Sequence, residues 1–141
     1  MPEQLTFAIG YEYDSLQVGI TVPVRLRTWS ESIDLHAKID TGASLCIFER
    51  KHAEQLGLNV ESGAIEKLST ATGIFIAYGH EVTLDVLGIE TTTTVYFAAD
   101  ENFTRNVLGR QGWLDRVRLG LVDYEGKLFL SDYNDPAESA L

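Results

Sequence analysis

The chain has 141 residues, of which 45% are hydrophobic and 23% are charged, and its formal net charge at pH 7 is −10. That length favours one domain with a hydrophobic core that needs no disulfide or metal support. The excess of acidic side chains argues against binding to nucleic acid or to anionic membrane surfaces, since both require clustered Lys and Arg.

The N-terminus "MPEQLTFAIGYEYD" lacks the basic start and apolar stretch of a signal peptide, and no apolar run approaches membrane-spanning length. The single cysteine, Cys46, excludes an internal disulfide. We therefore expect a cytoplasmic protein, with one domain over residues 1–141 and a frayed polar tail from about residue 134 to 141.

The first half of the chain alternates between apolar and polar residues, which predicts strands at 5–11, 16–27 and 33–40. In the last of these, one face should carry Ile33, Leu35, Ala37 and Ile39. Pro23 should lie at a sheet edge or a bulge, because it cannot donate a backbone hydrogen bond.

The segment "FERKHAEQLGL", residues 48–58, is the clearest helix in the sequence. Its spacing places Ala53 and Leu56 on an inward face, and Gly57 is a typical residue to follow the helix end.

Residues 67–98 are rich in Thr and Val and predict further strands, with turns at Gly73, Gly79 and Gly88. "RQGWLDRV" predicts a short helix, and two final strands at 118–124 and 127–133 should be joined by a turn at "YEGK". The whole pattern indicates an all-β fold with one or two short helices. We expect Trp29 and Trp113 to be packing residues.

The triplet Asp40-Thr41-Gly42 follows a predicted strand, and we expect its carboxylate to be partly desolvated. Two such carboxylates that share one proton can activate water and polarise a carbonyl at the same time. The alternative is an Asx-type turn after a strand. Apolar residues on both sides of this single triplet, in "KIDTGASLCIF", and the later segment "RNVLGRQGWL" favour a functional site.

With "IDTGAS" at 39–44, "VLGR" at 107–110 and a Gly-containing hairpin between them, the chain resembles a retropepsin-like aspartic protease of the small stand-alone bacterial type. The resemblance implies a closed β-barrel, the acid protease fold, that works as a homodimer. Each subunit would contribute one Asp-Thr-Gly loop, so that two aspartates meet on the two-fold axis.

The resemblance also implies roles for individual residues. Asp40 would be catalytic. The other expected site residues are an active-site loop of Thr41, Gly42, Ala43 and Ser44, a substrate-binding flap of Thr72, Gly73, Ile74 and Phe75, and two supporting residues, Gly109 and Arg110. The Thr41 hydroxyl would bond across to the partner loop. In viral relatives the arginine pairs with an acid at the position of Ser44, so the sequence does not identify a partner for Arg110.

The resemblance implies an aspartic endopeptidase that hydrolyses peptide bonds through water held between two Asp40 carboxylates, one per subunit. Its partners would be a second copy of the chain and a peptide or protein substrate. The alternative is a peptide-binding or assembly module that keeps the fold without turnover.

Other chemistries have weaker support. Cys46 with His52 or His80 could form a thiol nucleophile and base, but Cys46 lies in an apolar run typical of the core. The histidines lack the spacing of zinc ligands, and no phosphate-binding glycine loop is present, so we expect neither a metal nor a cofactor.

Overall fold

The computed structural model describes residues 1–71 and 73–135. Within them the secondary structure is mostly strand, as predicted, with one α-helix, α1, at Arg50–Gln55. The strands are β1 Ile9–Glu12, β2 Thr21–Arg27, β3 Ser32–Ile39, β4 Ile47–Phe48, β5 Ala64–Thr70, β6 Gly73–Val86, β7 Ile89–Ala98, β8 Val107–Leu108, β9 Val117–Val122 and β10 Lys127–Asp132. Single 3-10 turns occur at Val60–Ser62, Leu114–Arg116 and Asp123–Glu125.

The larger sheet in the described part of the chain has the strand order β2-β3-β8-β4-β7-β6-β5. An additional pairing of β2 with β6 closes six of these strands into a ring and leaves β5 outside it, paired to β6. At Pro23, strand β2 pairs with β3 alone, because the β2–β6 pairing begins one residue later, at Val24. This position suits proline, which has no N–H to donate to a second neighbouring strand.

The inside of the ring holds the hydrophobic core. The predicted alternation of β3 is confirmed, because Leu35, Ala37 and Ile39 are buried while Asp34 and His36 are exposed. Phe48, Phe97, Leu84 and Leu108 are also fully buried. The end of β3 is therefore fixed by its own apolar face.

Helix α1 is confirmed in the predicted segment, although it is shorter than the interval 48–58. Ala53 and Leu56 are buried as predicted. Gly57 follows the helix end with φ of +75°, a left-handed conformation that glycine adopts without steric cost.

The predicted turn at Gly79 is wrong, whereas the connections at Gly73 and Gly88 are confirmed. Gly79 lies inside β6 and pairs with Tyr96 of β7. A Cβ at this position would lie 2.9 Å from Tyr96 Cε1, so the glycine makes room for an aromatic ring. In a strand, glycine often marks such a close approach rather than a turn.

The packing role predicted for the two tryptophans holds for one of them. Trp113 is 1% exposed in the core, whereas Trp29 is 98% exposed at the β2–β3 connection. The predicted helix around Trp113 is a single 3-10 turn.

The smaller described sheet has the order β1-β10-β9. The predicted hairpin of the last two strands is confirmed, while the N-terminal strand begins later than predicted, at Ile9. The Tyr13 hydroxyl donates a hydrogen bond to Asp123 and ties the chain after β1 to the β9–β10 turn.

Of the predicted frayed tail, residues 136–141 lie outside the described part. No helix in the described residues has the length and apolar character needed to cross a membrane.

Candidate active site

Asp40 is the first residue after β3, and its backbone N–H donates to the Leu108 carbonyl of β8 at 3.0 Å. The chain then turns tightly: the Gly42 N–H donates to Asp40 Oδ1 at 2.9 Å and the Ala43 N–H to the Asp40 carbonyl at 3.1 Å. These bonds form the Asx-type turn considered as the alternative. Thr41 and Ser44 are exposed on this turn.

The expected partial desolvation of Asp40 is wrong for the single chain, in which this residue is exposed. The physical reason is its position. The apolar face of β3 ends at Ile39, and the loop then turns away from the core, so the carboxylate lies at the surface of the ring.

The segment that follows β8 supports the Asp40–Ser44 loop through backbone hydrogen bonds. The N–H of Arg110 donates to the Ala43 carbonyl and that of Gln111 to the Ser44 carbonyl, both at 2.9 Å. A Cβ on Gly109 would lie 2.2 Å from the Leu45 carbonyl oxygen, a distance that no side chain tolerates. Glycine is therefore required where these two segments cross.

Cys46 lies directly behind this crossing. The Gly109 N–H donates to Cys46 Sγ at 3.4 Å, and the thiol is fully buried, as predicted for a core residue. Burial raises the pKa of Cys46 to about 11. The thiol is thus neutral at physiological pH, which argues against a nucleophilic role.

The Arg110 guanidinium is exposed and makes no hydrogen bond or ion pair with the described residues, although the backbone of Arg110 is engaged at both ends. Its carbonyl accepts from the Asp115 N–H at 2.9 Å. The supporting function visible in the single chain therefore comes from the backbone of this residue.

Asp40 lines a cleft of about 260 Å³. Its floor is the loop with Gly42, Ala43 and Ser44, and its opposite side is the β5–β6 hairpin. The remaining lining residues are Leu45, Ile47, Leu68, Ser69, Thr70, Phe75, Phe103, Arg105 and Val107. The lining is mainly apolar with a few polar groups, as is usual for a ligand site.

The hairpin carries the residues expected to form the flap. Thr70 pairs with Gly73 across its turn, Phe75 points to the cleft, and Ile74 is 72% exposed. Thr72, also expected in the flap, lies outside the described residues.

Two cleft residues, Phe103 and Arg105, are absent from the sequence-based prediction. The Phe103 ring stacks on that of Phe75, and the Arg105 guanidinium carbon lies 5.4 Å from the centre of the Phe103 ring. Both belong to the polar segment "ENFTRN", whose composition indicates an ordinary loop. Their position just before "VLGR" could have indicated that they lie near the site. Strand β8, which contains the start of that motif, pairs with β3 at the end that leads into Asp40.

Comparison with known proteins places these features in a family. The family model described as Aspartyl protease matches residues 22–111, more than half of the chain, and the match includes Asp40 and Gly109. A search of curated proteins gave no match.

Solved structures that are similar to the chain include the following two proteases. A retropepsin-like aspartic protease from Rickettsia conorii has 18% sequence identity and a TM-score of 0.58, with coverage of 82% of this chain and 100% of that one. EIAV protease complexed with the inhibitor HBY-793 has 20% identity and a TM-score of 0.53, with coverage of 67% and 85% respectively. At this identity the likeness concerns the fold, and it agrees with the family match. The chain therefore belongs to the aspartyl protease family and is an aspartic-type endopeptidase with the retropepsin-like fold.

Proposed function

We propose that the protease works as a homodimer, in a single domain per chain, and that one Asp40 from each subunit activates the water that attacks the peptide bond. The observation that carries this proposal is the composition of the cleft. Among its described lining residues Asp40 is the one carboxylate, whereas the chemistry requires two. A second copy of the chain supplies the missing acid by symmetry.

The two carboxyl groups share one proton and divide the work. The ionised one takes a proton from water, while the protonated one donates to the scissile carbonyl, so no covalent intermediate with the enzyme forms. The Gly42 N–H holds Asp40 Oδ1, and Oδ2 has no donor among the described residues. That second oxygen is therefore the one available to water or to the substrate.

The exposure of Asp40, Thr41 and Ser44 supports an assembly in which this loop meets its symmetry copy. The pairing would desolvate Asp40 and bring two acids together, so the pair would titrate as a unit. Arg110, exposed beside the same loop, is available to a second subunit.

The β5–β6 hairpin is proposed as the flap. Leu68 and Phe75 place apolar side chains over the cleft, where a closed hairpin would exclude water from the reaction. A peptide would bind in an extended conformation beneath the two flaps of the dimer and form strand-like backbone hydrogen bonds.

A mixing experiment tests the two-acid mechanism. Wild-type chain and Asp40→Asn chain are unfolded together in equal amounts, refolded, and assayed with a peptide library. Random pairing leaves about one quarter of the dimers with two aspartates, so activity per wild-type chain should fall by about half. Asp34→Asn, which removes an exposed carboxylate outside the cleft, is the matched control and should leave that activity unchanged.

Undiminished activity per wild-type chain in the Asp40→Asn mixture would show that single chains act independently and would overturn the dimer mechanism. Equal cleavage by wild type and pure Asp40→Asn would remove Asp40 from the chemistry. Absence of cleavage by both proteins between about pH 3 and pH 8 would instead favour a peptide-binding module with this fold.

A further inference from the structure

We propose that Arg105 and Phe103 form a subsite for an acidic side chain of the substrate. This inference rests on the proposed function and deepens it, because it assigns a substrate class to the same cleft. It predicts cleavage of peptides that carry Asp or Glu close to the scissile bond, beside the apolar side chains that the remaining cleft walls accept.

The first argument is the charge inside the cleft. Arg105 is the one cationic residue among the described lining residues, and it shares the cleft with Asp40. Within residues 1–71 and 73–135 its guanidinium forms no ion pair. Four other arginines form ion pairs: Arg25 with Asp34 at 2.7 Å, Arg27 with Glu90 at 2.8 Å, Arg50 with Glu61 at 2.5 Å, and Arg116 with Asp115 at 3.7 Å.

Arg110 likewise forms no ion pair with the described residues, so the unpaired state of Arg105 takes its meaning from its place in the cleft. The cleft's own carboxylate, Asp40, forms no ion pair with Arg105 either, although acids outnumber bases by 21 to 11 in the chain. The guanidinium is therefore available to a carboxylate brought by a ligand.

The second argument is that the guanidinium is held in a suitable orientation. Its carbon lies 5.4 Å from the centre of the Phe103 ring, which is itself stacked on Phe75. An arginine over an aromatic face keeps its N–H edge free to bind a carboxylate through two parallel hydrogen bonds. Closure of the hairpin over this stack would reduce screening by water and strengthen that contact.

The third argument is the anchoring of the adjacent residue, Asn106. Its carbonyl accepts from the Lys38 N–H at 2.9 Å, its Nδ2 donates to Glu49 Oε2 at 2.8 Å, and its Oδ1 accepts from the Glu49 N–H at 3.0 Å. The backbone next to Arg105 is thus fixed to β3 and to the start of α1. A fixed backbone loses little entropy on binding, which favours a selective site.

The two-fold symmetry of the proposed dimer adds a constraint. Each subunit would present Arg105 on its own side of the Asp40 pair, so the preference for an acid should appear at matching positions on both sides of the scissile bond.

The test compares pairs of peptides that differ by Glu against Gln, placed in turn at four positions on each side of the cleaved bond. At the position facing Arg105, we expect wild type to cleave the Glu peptide about tenfold faster in kcat/KM than its Gln counterpart, the effect of one charge-assisted contact. Arg105→Gln should reduce this ratio to about one. Arg105→Glu should instead favour Lys over Gln.

Controls separate this local contact from the overall charge of the protein. Arg25→Gln makes the same change in net charge outside the cleft and should keep the Glu preference. Arg105→Lys keeps the charge and should retain a reduced preference. High salt should weaken the preference of the wild type, because charge interactions are screened. An equal Glu-to-Gln ratio in wild type and Arg105→Gln at every position would overturn the proposal.

A binding measurement distinguishes failure of the subsite from failure of the proposed function. Fluorescently labelled Glu and Gln peptides are titrated with the Asp40→Asn protein and with its Arg105→Gln derivative. Tighter binding of the Glu peptide that disappears with Arg105→Gln supports the subsite, even if the wild type cleaves neither peptide. Equal binding of both peptides by Asp40→Asn overturns the subsite and leaves the two-acid mechanism untouched.

Discussion

The ring of Phe75 in the β5–β6 hairpin stacks on the ring of Phe103 in the loop before β8, with centroids 5.0 Å apart and planes inclined by 26°. This contact joins two separate segments that both line the cleft. It is therefore the point at which the position of the hairpin is coupled to the cleft wall.

Removal of this contact should weaken substrate turnover more than stability. Phe75 is partly exposed, and an aromatic pair contributes about 0.5–1.5 kcal/mol beyond its buried area, so Phe75→Ala should lower kcat/KM by roughly tenfold with a small change in Tm. Ile65→Ala, at an exposed position of β5 outside the cleft lining, is the matched control. An equal loss of kcat/KM in both variants would contradict a specific role for the stack.

Gly109→Ala should destabilise the protein strongly. The new methyl group would lie 2.2 Å from the Leu45 carbonyl oxygen, and the backbone must move to relieve this overlap, at a cost of about 1–3 kcal/mol or more. Denaturant unfolding measures the loss. Gly57→Ala tests backbone strain without a clash, since no atom lies within 4 Å of its added methyl, and it should cost about 1–2 kcal/mol. A smaller effect at Gly109 than at Gly57 would be inconsistent with this account.

The two tryptophans should respond in opposite ways to truncation. Trp113→Ala leaves a cavity in the core and should lower the free energy of unfolding by about 3–5 kcal/mol. Trp29→Ala removes an exposed ring and should change it by less than about 0.5 kcal/mol. Unfolding should be monitored by circular dichroism, because each substitution removes a tryptophan that would otherwise report unfolding by its fluorescence. A large loss with Trp29→Ala would reveal a packing role that the single chain does not show.

Cys46 should be protected from alkylation in the native protein. Its thiol is fully buried and its pKa is raised to about 11, so at about pH 8 very little reactive thiolate exists. Iodoacetamide labelling followed by mass spectrometry should be slow in buffer and rapid in denaturant. Fast labelling in buffer would show that the thiol is accessible in the folded protein.

The ion pair between Arg50 and Glu61 should make a pH-dependent contribution to stability. The hydrogen bond from Arg50 lowers the pKa of Glu61 below its ordinary value of 4.5, so the ionised form is the one that the folded state favours. This contribution is complete above pH 4.5 and is lost as the pH falls through the lower folded-state pKa.

Glu61→Gln should therefore lower Tm at neutral pH, and the difference from wild type should disappear in acid, below the folded-state pKa of Glu61. Glu66→Gln, an exposed change on β5, is the control and should match wild type at both pH values. A difference between Glu61→Gln and wild type that persists in acid would mean that the effect does not arise from the ionised pair.

Secondary structure and burial were predicted correctly from the sequence where a residue's environment depends on residues adjacent to it in the chain. The alternation in β3, the inward face of α1 and the C-terminal hairpin depend on local patterns, and each is confirmed. The resemblance carried by "IDTGAS" and "VLGR" led to the family that the comparison shows. The site roles of Asp40, the flap and Arg110 stay predictions that the experiments above address.

The wrong predictions concern residues whose surroundings are set by distant parts of the chain. Gly79 makes room for Tyr96 of the neighbouring strand, which a turn rule based on nearby residues does not detect. Trp29 is exposed in the β2–β3 connection, although large aromatic residues are usually well buried. Phe103 and Arg105 reach the cleft because β8 pairs with β3, a contact between positions far apart in sequence.

The closure of the ring by β2 and β6 has a consequence for hydrogen exchange. Strand β6 pairs with β2 and β7 inside the ring, whereas β5 pairs with β6 outside it. Separation of β5 from β6 therefore breaks one ladder and preserves the others. Amides of β5 should exchange through this local opening, while those of Leu84 and Val86 should exchange only when the whole cooperative unit unfolds. Exchange of the β5 amides well before those of Leu84 and Val86 would show that the hairpin opens without global unfolding.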